Sequence, residues 1–306
     1  MSRFKNGPTL QKGRDHRVIV ALFSSAIALM IPSALCAQTP NFNGFQTFEG
    51  GTNGATVSSA ALNSGQVCNA AGVNWSLQGN ASTQMHFSSA ASAPLPADIV
   101  ACGTVQTPGG TLGVTYALNT GSTGYIQGSF SNNTGVASIG FWFKTDLPTS
   151  DTGYHSMGGI SSGTGDFVSL MIQGGQFYLE SGLNPNGNPD VGTKFLYTAN
   201  KWYWVTEQYQ RNVNSISMHS LSIYDCGTPV VPVLPCKVLS AQRKYSMNNT
   251  QNPNFLAIGK IGDNGTPASL VYYDSLIMDT TGQTFPIVPG SGSLPAPPTG
   301  LAAVIH

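Results

Sequence analysis

Charged side chains are scarce in this chain, since Asp, Glu, Lys and Arg make up 8% of its 306 residues, whereas soluble proteins carry about 25%. Coiled coils and charged helical bundles need many more Glu, Lys and Arg and are therefore excluded. The 13 basic residues are balanced by 13 acidic ones, so the basic surface of a nucleic-acid-binding protein is missing as well. Charge-driven disorder is disfavoured, because 41% of the residues are hydrophobic. What remains is a neutral chain rich in Gly, Ser, Thr and Asn, with many Val, Ile, Tyr and Phe residues. This composition is typical of an all-β extracellular protein.

Glutamate is also rare, and its spacing bears on catalysis. The chain has three glutamates, Glu49, Glu180 and Glu207, and none has another carboxylate two or four residues away. Glycoside hydrolysis requires two carboxyl groups that flank the scissile bond. The sequence therefore carries no paired-carboxylate signature, and we expect binding without catalysis.

The first 37 residues have the organisation of a secretory signal peptide. Residues 1–17 hold five basic side chains and one acidic one, an apolar run follows to Leu35, and small residues precede a cleavage point near Ala37. A membrane anchor is the alternative, but Pro32 and several serines interrupt the apolar run. After cleavage, eight basic and twelve acidic residues remain, a net charge of −4. We expect a secreted, periplasmic or cell-surface protein with no stable membrane span.

Four cysteines remain in the exported chain: Cys68, Cys102, Cys226 and Cys236. An even number of cysteines in an exported protein indicates disulfides, and four cysteines allow three pairings. We favour Cys68–Cys102 and Cys226–Cys236, because the second pair closes a short proline-rich loop.

The mature chain is dominated by short strand signals separated by turn residues. Gly174 and Gly175 separate two β-prone runs and predict a two-residue hairpin. Some ten to fourteen such strands are typical of a two-sheet sandwich. The clearest predicted strands are Leu112–Leu118, Tyr125–Phe130, Val136–Lys144, Phe167–Gln173, Gln176–Glu180, Trp202–Arg211, Ile216–Tyr224, Phe255–Ile261 and Leu270–Met278.

We expect one all-β domain over residues 38–288. Residues 289–306 begin with a Pro/Gly/Ser-rich linker. The short run Pro298–Val304 that follows the linker resembles the opening strand of a fibronectin type III module.

The order of motifs over residues 141–279 resembles the concanavalin A-like lectin/glucanase superfamily, close to its laminin-G-like members. A departure from the pattern is Cys226-Gly227 after Asp225, where those domains usually have Asp-Gly. The motifs that carry the resemblance are Phe141-Trp-Phe-Lys144, the hairpin Phe167–Glu180, Trp202–Tyr209, Leu221–Asp225, Phe255–Gly259 and Tyr273–Asp279.

The resemblance implies an antiparallel jelly-roll sandwich whose concave face often binds glycans. This fold hosts enzymes, lectins and adhesion modules alike, so it implies no activity. The glucanase motif E-x-D-x-E and the alginate-lyase motifs R-x-E-x-R and Q-[IV]-H do not occur. Lectin-like sandwiches often bind calcium through loop carboxylates. Calcium is therefore a candidate cofactor, with Asp146, Asp151, Asp263 and Asp274 as conceivable ligands.

One predicted strand offers a ligand-binding face. In a strand, side chains alternate between two faces, so Tyr203, Glu207, Tyr209 and Arg211 share one face. Two tyrosines, a carboxylate and a guanidinium could stack on a sugar ring and bond its hydroxyls. The alternative is that Tyr203 belongs to the core and that Glu207 pairs with Arg211.

The sequence as a whole predicts a secreted, non-catalytic module that binds a polysaccharide, a glycoconjugate or a matrix surface by aromatic stacking and polar contacts. Two alternatives stay open: a glycoside hydrolase or lyase of the same fold, and a structural or adhesion module of a larger surface protein.

Overall fold

The computed structural model describes residues 41–93, 99–106, 110–118, 123–163, 167–183, 189–211, 216–228, 231–247, 251–263 and 269–282. The predicted signal peptide, residues 1–37, and the tail, residues 289–306, lie outside this part of the chain. The side chains of Cys226 and Cys236 lie outside it as well, so their pairing stays a prediction.

Short elements fill the first part of the described chain, where turn-forming residues interrupt every β-prone run. A 3₁₀ turn over Ser89–Ala91 accompanies them. The elements are β1 (Asn41–Phe42), β2 (Gly44–Gln46), α1 (Ser59–Ser64), β3 (Gln66–Asn69), β4 (Asn74–Gly79), α2 (Ala81–Gln84), β5 (Met85–Ser88), β6 (Ile99–Ala101), β7 (Thr104–Gln106), β8 (Gly113–Leu118) and β9 (Gly124–Ser129).

Longer strands follow, in the part of the chain that is richest in aromatic and β-branched residues. They are β10 (Val136–Thr145), β11 (Tyr154–Ser161), β12 (Phe167–Gln173), β13 (Gln176–Leu183), β14 (Pro189–Val191), β15 (Phe195–Leu196), β16 (Tyr203–Gln210), β17 (Ile216–Thr228), β18 (Val231–Met247), β19 (Phe255–Asp263) and β20 (Ser269–Asp279).

Two large antiparallel sheets form a sandwich, which confirms the predicted fold class. The first sheet has the order β18-β17-β16-β10-β20-β2-β3, with β8 also pairing with β20 and β5 pairing with β8. The second sheet has the order β14-β13-β12-β11-β19-β9-β4, with β15 pairing with β13. Strands β11 to β13 lie opposite β16 to β18. A small third sheet has the order β1-β6-β7.

The hairpin between β12 and β13 forms as the sequence predicts. Gln173 pairs with Gln176, and the two turn residues, Gly174 and Gly175, have φ angles of 59° and 71°. Both angles are left-handed, the conformation that a type I′ turn requires and that glycine adopts without strain. The turn therefore fixes the register in which Ser169 faces Glu180 across the two strands.

Alternation along the strands fills the space between the two sheets. The inward side chains of β12 are Val168, Leu170 and Ile172, and they belong to the main hydrophobic core together with Phe141 and Phe143 of β10. The outward side chains of β12 include Phe167 and Ser169. The core thus takes every second residue, and the other half of β12 is presented on the far side of the second sheet.

The outer face of the first sheet is buried by a second hydrophobic cluster. Trp142 and Trp204 pack edge to face with ring centroids 5.3 Å apart, and Phe42 of β1 and Ala101 of β6 belong to the same cluster. The small sheet is held nearby by the disulfide Cys68–Cys102, which confirms that predicted pairing.

Among the residues that the structure describes, no helix has the length and the apolar character needed to cross a membrane.

Candidate functional site

A groove of about 280 Å³ lies on the outer face of the second sheet. It crosses β9, β19, β11, β12 and β13, and most of its residues belong to the outward half of the alternating pattern. The core residues Ile160 and Val168 also contribute to its lining. Among the described residues, its lining combines small and aliphatic side chains, aromatic rings and one carboxylate. Ligand sites in proteins commonly have this composition, a mostly apolar concavity with a few precisely placed polar groups.

Small residues form the floor of the groove. Gly159 of β11 pairs with Ser169 of β12 on one side and with Ala257 of β19 on the other. These three neighbours lie in one row across the sheet and carry at most a hydroxymethyl group each. The row therefore leaves a trough between the larger side chains of the rows next to it.

Aromatic side chains form the walls. In the next row, Ser161 pairs with Phe167 and with Phe255, and both phenylalanines are half-buried. On the other side of the floor, the half-buried rings of Tyr154 and Tyr125 line the groove. Rings that are partly exposed on both sides of a shallow floor can contact the apolar face of a flat ligand.

Glu180 places a carboxylate at one end of the floor. Its side chain is 5% exposed, and its Oε1 accepts a hydrogen bond of 2.7 Å from the phenol of Tyr154. Burial raises the pKa of the Glu180 carboxyl, and the hydrogen bond from Tyr154 opposes this shift in part. Burial and the neighbouring Glu180 also raise the pKa of Tyr154. The raised pKa of Tyr154 keeps its phenol protonated, so Tyr154 is the donor and Glu180 Oε1 is the acceptor.

The hydroxyls of the floor are engaged with the protein. Ser169 Oγ donates to the carbonyl of Gly158 at 2.7 Å, and Ser156 Oγ lies 2.8 Å from Ser169 Oγ. A serine hydroxyl has one proton, so Ser156 is the donor in the second bond. The floor is thereby fixed in position, and Glu180 is left as the strongest hydrogen-bond acceptor in the groove.

Lys194, between β14 and β15, lies against the outward face of β13, towards the hairpin. Its ammonium group is 4.8 Å from the centre of the Tyr178 ring and donates to Gln173 at 2.7 Å. This residue, Lys194, is exposed and does not line the groove. Burial, followed by the nearby Glu180, raises the pKa of Tyr178 to about 12, so both tyrosines beside Glu180 are neutral at physiological pH.

The structure places the ligand face predicted from the sequence in the interior. Tyr203, Glu207 and Tyr209 share one face of β16, as the alternation predicts, but they are 3%, 0% and 0% exposed. Strand β16 lies between β10 and β17, and the second sheet covers its inner face. Tyr203 and Tyr209 belong to the main core. A ligand in solution has no access to these side chains.

Each member of that set has a partner within the protein. The backbone N–H of Thr198 donates to the Tyr203 hydroxyl at 2.8 Å. The Tyr209 ring lies 4.7 Å from the ring of His219, centroid to centroid. Arg211 donates to Asn252 at 2.8 Å, and neither carboxylate oxygen of Glu207 contacts it, so the ion pair of the alternative interpretation does not form.

Glu207 is the one carboxyl group of this set, and it is fully buried. Its Oε1 accepts a 3.0 Å hydrogen bond from the backbone N–H of Leu170 in the opposite sheet, while Oε2 has no hydrogen-bond partner among the described residues. Burial raises its pKa well above the ordinary range, and the bond from Leu170 opposes this only in part. The neutral, protonated acid is therefore the form that the interior accommodates.

We expect the substitution Glu207→Gln to change how stability depends on pH. A raised pKa means that the folded state keeps a proton that the unfolded chain loses, so wild-type stability falls as pH rises above the ordinary glutamate pKa. Glutamine has no proton to lose and lacks this decline. Thermal unfolding of both proteins over a pH series should show a difference in Tm that grows in favour of the variant with rising pH. Parallel curves would contradict this assignment.

Three of the four aspartates that are conceivable calcium ligands have partners within the protein. Asp151 lies 2.7 Å from His155 Nε2, Asp146 accepts from the backbone of Leu270 at 2.6 Å, and Asp274 is buried and accepts from Ala93 N at 2.8 Å. The side chain of Asp263 is outside the described part. Within that part, no group of three or more His, Cys, Asp or Glu residues could hold a metal ion.

Sequence reasoning missed the pairing of Tyr154 with Glu180. Tyr178 and Glu180 share a face of the predicted hairpin, which was readable from the period of two. Tyr154 reaches Glu180 across three strands, through the pairing of β11 with β12 and of β12 with β13. Strand β11 contains four serine and glycine residues in eight, and its β-propensity is correspondingly weak.

Comparisons with known proteins were made at three levels. No protein-family model and no curated protein matches the chain. One similar solved structure is a mutant of HCR/D, with 13% sequence identity, a TM-score of 0.44, and coverage of 78% of this chain and 48% of that one. A second is the receptor binding domain of botulinum neurotoxin mosaic serotype C/D, with 13% identity, a TM-score of 0.41, and coverage of 78% of this chain and 47% of that one. A third is an endo-β-1,4-glucuronan lyase from the fungus Trichoderma reesei, with 15% identity, a TM-score of 0.37, and coverage of 56% of this chain and 82% of that one.

The alignment spans about half of the first of these chains. At this identity and TM-score, the likenesses do not indicate the function of this chain.

Proposed function

We propose that the chain is a secreted carbohydrate-binding module that holds a sugar ring in the groove on the outer face of the second sheet and performs no catalysis. The observation that carries the proposal is the row of small residues Ser169, Gly159 and Ala257 between aromatic walls. A sugar ring has an apolar face of C–H groups and a periphery of hydroxyls. The walls suit the apolar face, and the carboxylate of Glu180 is a strong acceptor for a hydroxyl.

The number of carboxylates supports binding rather than hydrolysis. Hydrolysis requires two carboxyl groups about 5–10 Å apart on either side of the bond. Among the described residues that line the groove, Glu180 is the one that carries a carboxylate. Oε1 of Glu180 already accepts a hydrogen bond from the Tyr154 phenol. This bond fixes the position of the Glu180 carboxyl group, which suits an acceptor of hydrogen bonds from a ligand.

Export of the protein is part of the proposal. The signal-like segment 1–37 directs the chain out of the cytoplasm. The Cys68–Cys102 disulfide suits an oxidising compartment. The partner is accordingly an extracellular or surface polysaccharide, or a glycoconjugate.

The proposal is tested by a binding screen of the secreted protein on a panel of glycans and polysaccharides, with calcium and with a chelator. Saturable retention without release of reducing ends is the expected result. Release of reducing ends would establish an enzyme of this fold instead. Retention on no carbohydrate would contradict the proposal and favour a structural or adhesion module.

We also expect binding to depend on pH through Glu180. Because burial raises its pKa, the carboxylate takes up a proton at a higher pH than an ordinary glutamate does. A charge-assisted hydrogen bond is worth roughly 1 kcal/mol more than a neutral one, so wild-type affinity should fall about fivefold as the pH is lowered through that range.

Glu180→Gln should bind about fivefold more weakly than wild type at neutral pH, since only the charge is lost, and its affinity should be independent of pH. The control is Glu49→Gln, which removes the same charge at an exposed position outside the groove and should follow the wild type. The measurement is calorimetric titration over a pH series. Equal pH profiles for wild type and Glu180→Gln would contradict this role of Glu180.

A further inference from the structure

The groove has an unbalanced charge. Among the described residues that line it, Glu180 is the one with a charged side chain, and that side chain is almost fully buried. Its hydrogen-bond donor, Tyr154, is a neutral phenol. No ion pair involving Glu180 occurs between the described side chains. Among the described residues, the group that contacts the Glu180 carboxylate is therefore the hydroxyl dipole of Tyr154 and not a cation.

We infer that the groove selects uncharged sugars and rejects sugars that carry a carboxylate or a sulfate. This inference rests on the proposed function and names the ligand class of the same groove. A carboxylate on the ligand would lie within a few ångströms of Glu180, in a site where burial weakens solvent screening. Like charges at such a distance repel strongly, and this kind of repulsion is a common source of specificity at binding sites.

The surroundings of the groove reinforce the selection. Lys194 is a cation on the same face, but its ammonium group lies over the Tyr178 ring and donates to Gln173. Lys260 of β19 is next to the groove residue Ile261 in the chain, and it is fully buried. The exported chain has a net charge of −4, so long-range attraction of polyanions is absent too.

A neutral sugar is not repelled by Glu180 and can form hydrogen bonds with it. Its hydroxyls donate hydrogen bonds, and Glu180 is a charged acceptor with capacity beyond the single bond from Tyr154. A hydroxyl that donates to Glu180 therefore gains a charge-assisted bond. The same carboxylate thus favours a neutral sugar and disfavours an acidic one.

The test uses pairs of glycans that differ only in charge: cello-oligosaccharides against oligoglucuronans of the same linkage, and galacturonans against the galactans obtained by reducing their carboxyl groups. Affinities are measured at neutral pH and physiological salt for the whole secreted protein and for Glu180→Gln, Glu49→Gln and Lys194→Gln. In each pair whose neutral glycan is retained, we expect wild type to bind the neutral glycan at least about tenfold more tightly than the acidic one. Repulsion between like charges in a binding site readily causes a difference of this size.

The variants separate the groove from the general charge of the protein. Glu180→Gln should reduce the neutral-to-acidic ratio severalfold, whereas Glu49→Gln and Lys194→Gln should leave it at the wild-type value. Acidic members that bind as well as their neutral partners, or a ratio that Glu180→Gln does not change, would overturn the selectivity and leave the proposed function standing. Retention of neither member of any pair would overturn the proposed function itself, and the selectivity with it.

Discussion

Replacing Ala257 by leucine is expected to abolish measurable glycan binding while the fold is kept. Ala257 lies in the centre of the groove floor, between the walls formed by Phe255 and Tyr125. Its neighbours in the strand, Leu256 and Ile258, point into the core, so the added carbons of leucine project into the groove. One misplaced methylene in a binding site costs about 1–3 kcal/mol. Three added carbons should therefore weaken binding by at least about a hundredfold.

A matched control separates this effect from a general effect of leucine. Ala60→Leu adds the same atoms at an exposed position on helix α1 and should bind as the wild type does. Thermal unfolding of both variants checks that the sandwich is intact. If Ala257→Leu unfolds, the rim variant Phe255→Ala provides the test, with weaker binding as the expected result. Wild-type affinity in a folded Ala257→Leu would contradict the placement of the ligand in this groove.

Removal of the Cys68–Cys102 disulfide should cause a large loss of stability. Cys68 of β3 and Cys102, between β6 and β7, are 34 residues apart. On the chain-entropy model, a cross-link over a loop of this length stabilises the folded state by about 4 kcal/mol. We therefore expect the double variant Cys68→Ser/Cys102→Ser to unfold at a markedly lower denaturant concentration than the wild type.

The same variant also tests the separation of the two faces. The disulfide lies in the cluster on the outer face of the first sheet, and the groove is on the outer face of the second. Under conditions where the double variant is folded, its glycan affinity should equal that of the wild type. Unfolding at an unchanged denaturant concentration would contradict the stabilising role, and a large loss of affinity in the folded variant would contradict the independence of the two faces.

Much of the fold is predictable because most long strands are runs of aromatic and β-branched residues bounded by turn residues. Such runs predict β10, β12 and β19, and alternation predicts β16, each to within a few residues. Paired glycines predict the hairpin that follows β12. Strand β11 escaped prediction, since its serines and glycines have low β-propensity. The two short helices were also missed. One of them, α1, is signalled mainly by its N-cap Ser58, whose side chain accepts from Ala61 N.

The groove was less predictable than the fold, for a physical reason. Alternation shows that Tyr203, Glu207 and Tyr209 share a face, but it does not show what covers that face. The cover is the second sheet, which is distant in sequence. The groove itself depends on pairings of the same non-local kind, such as Gly159 with both Ser169 and Ala257. A set of small residues in separate strands carries no signal until those pairings are known.

The central claim, that the outer face of the second sheet binds a sugar ring, is tested most directly by a crystal structure of the protein with the glycan that it retains most strongly. The predicted result is a sugar ring over Ala257 and Ser169, between the rings of Phe255 and Tyr154, with a hydroxyl that donates to Glu180. A glycan bound at any other surface, with the groove empty at saturating ligand, would contradict the account.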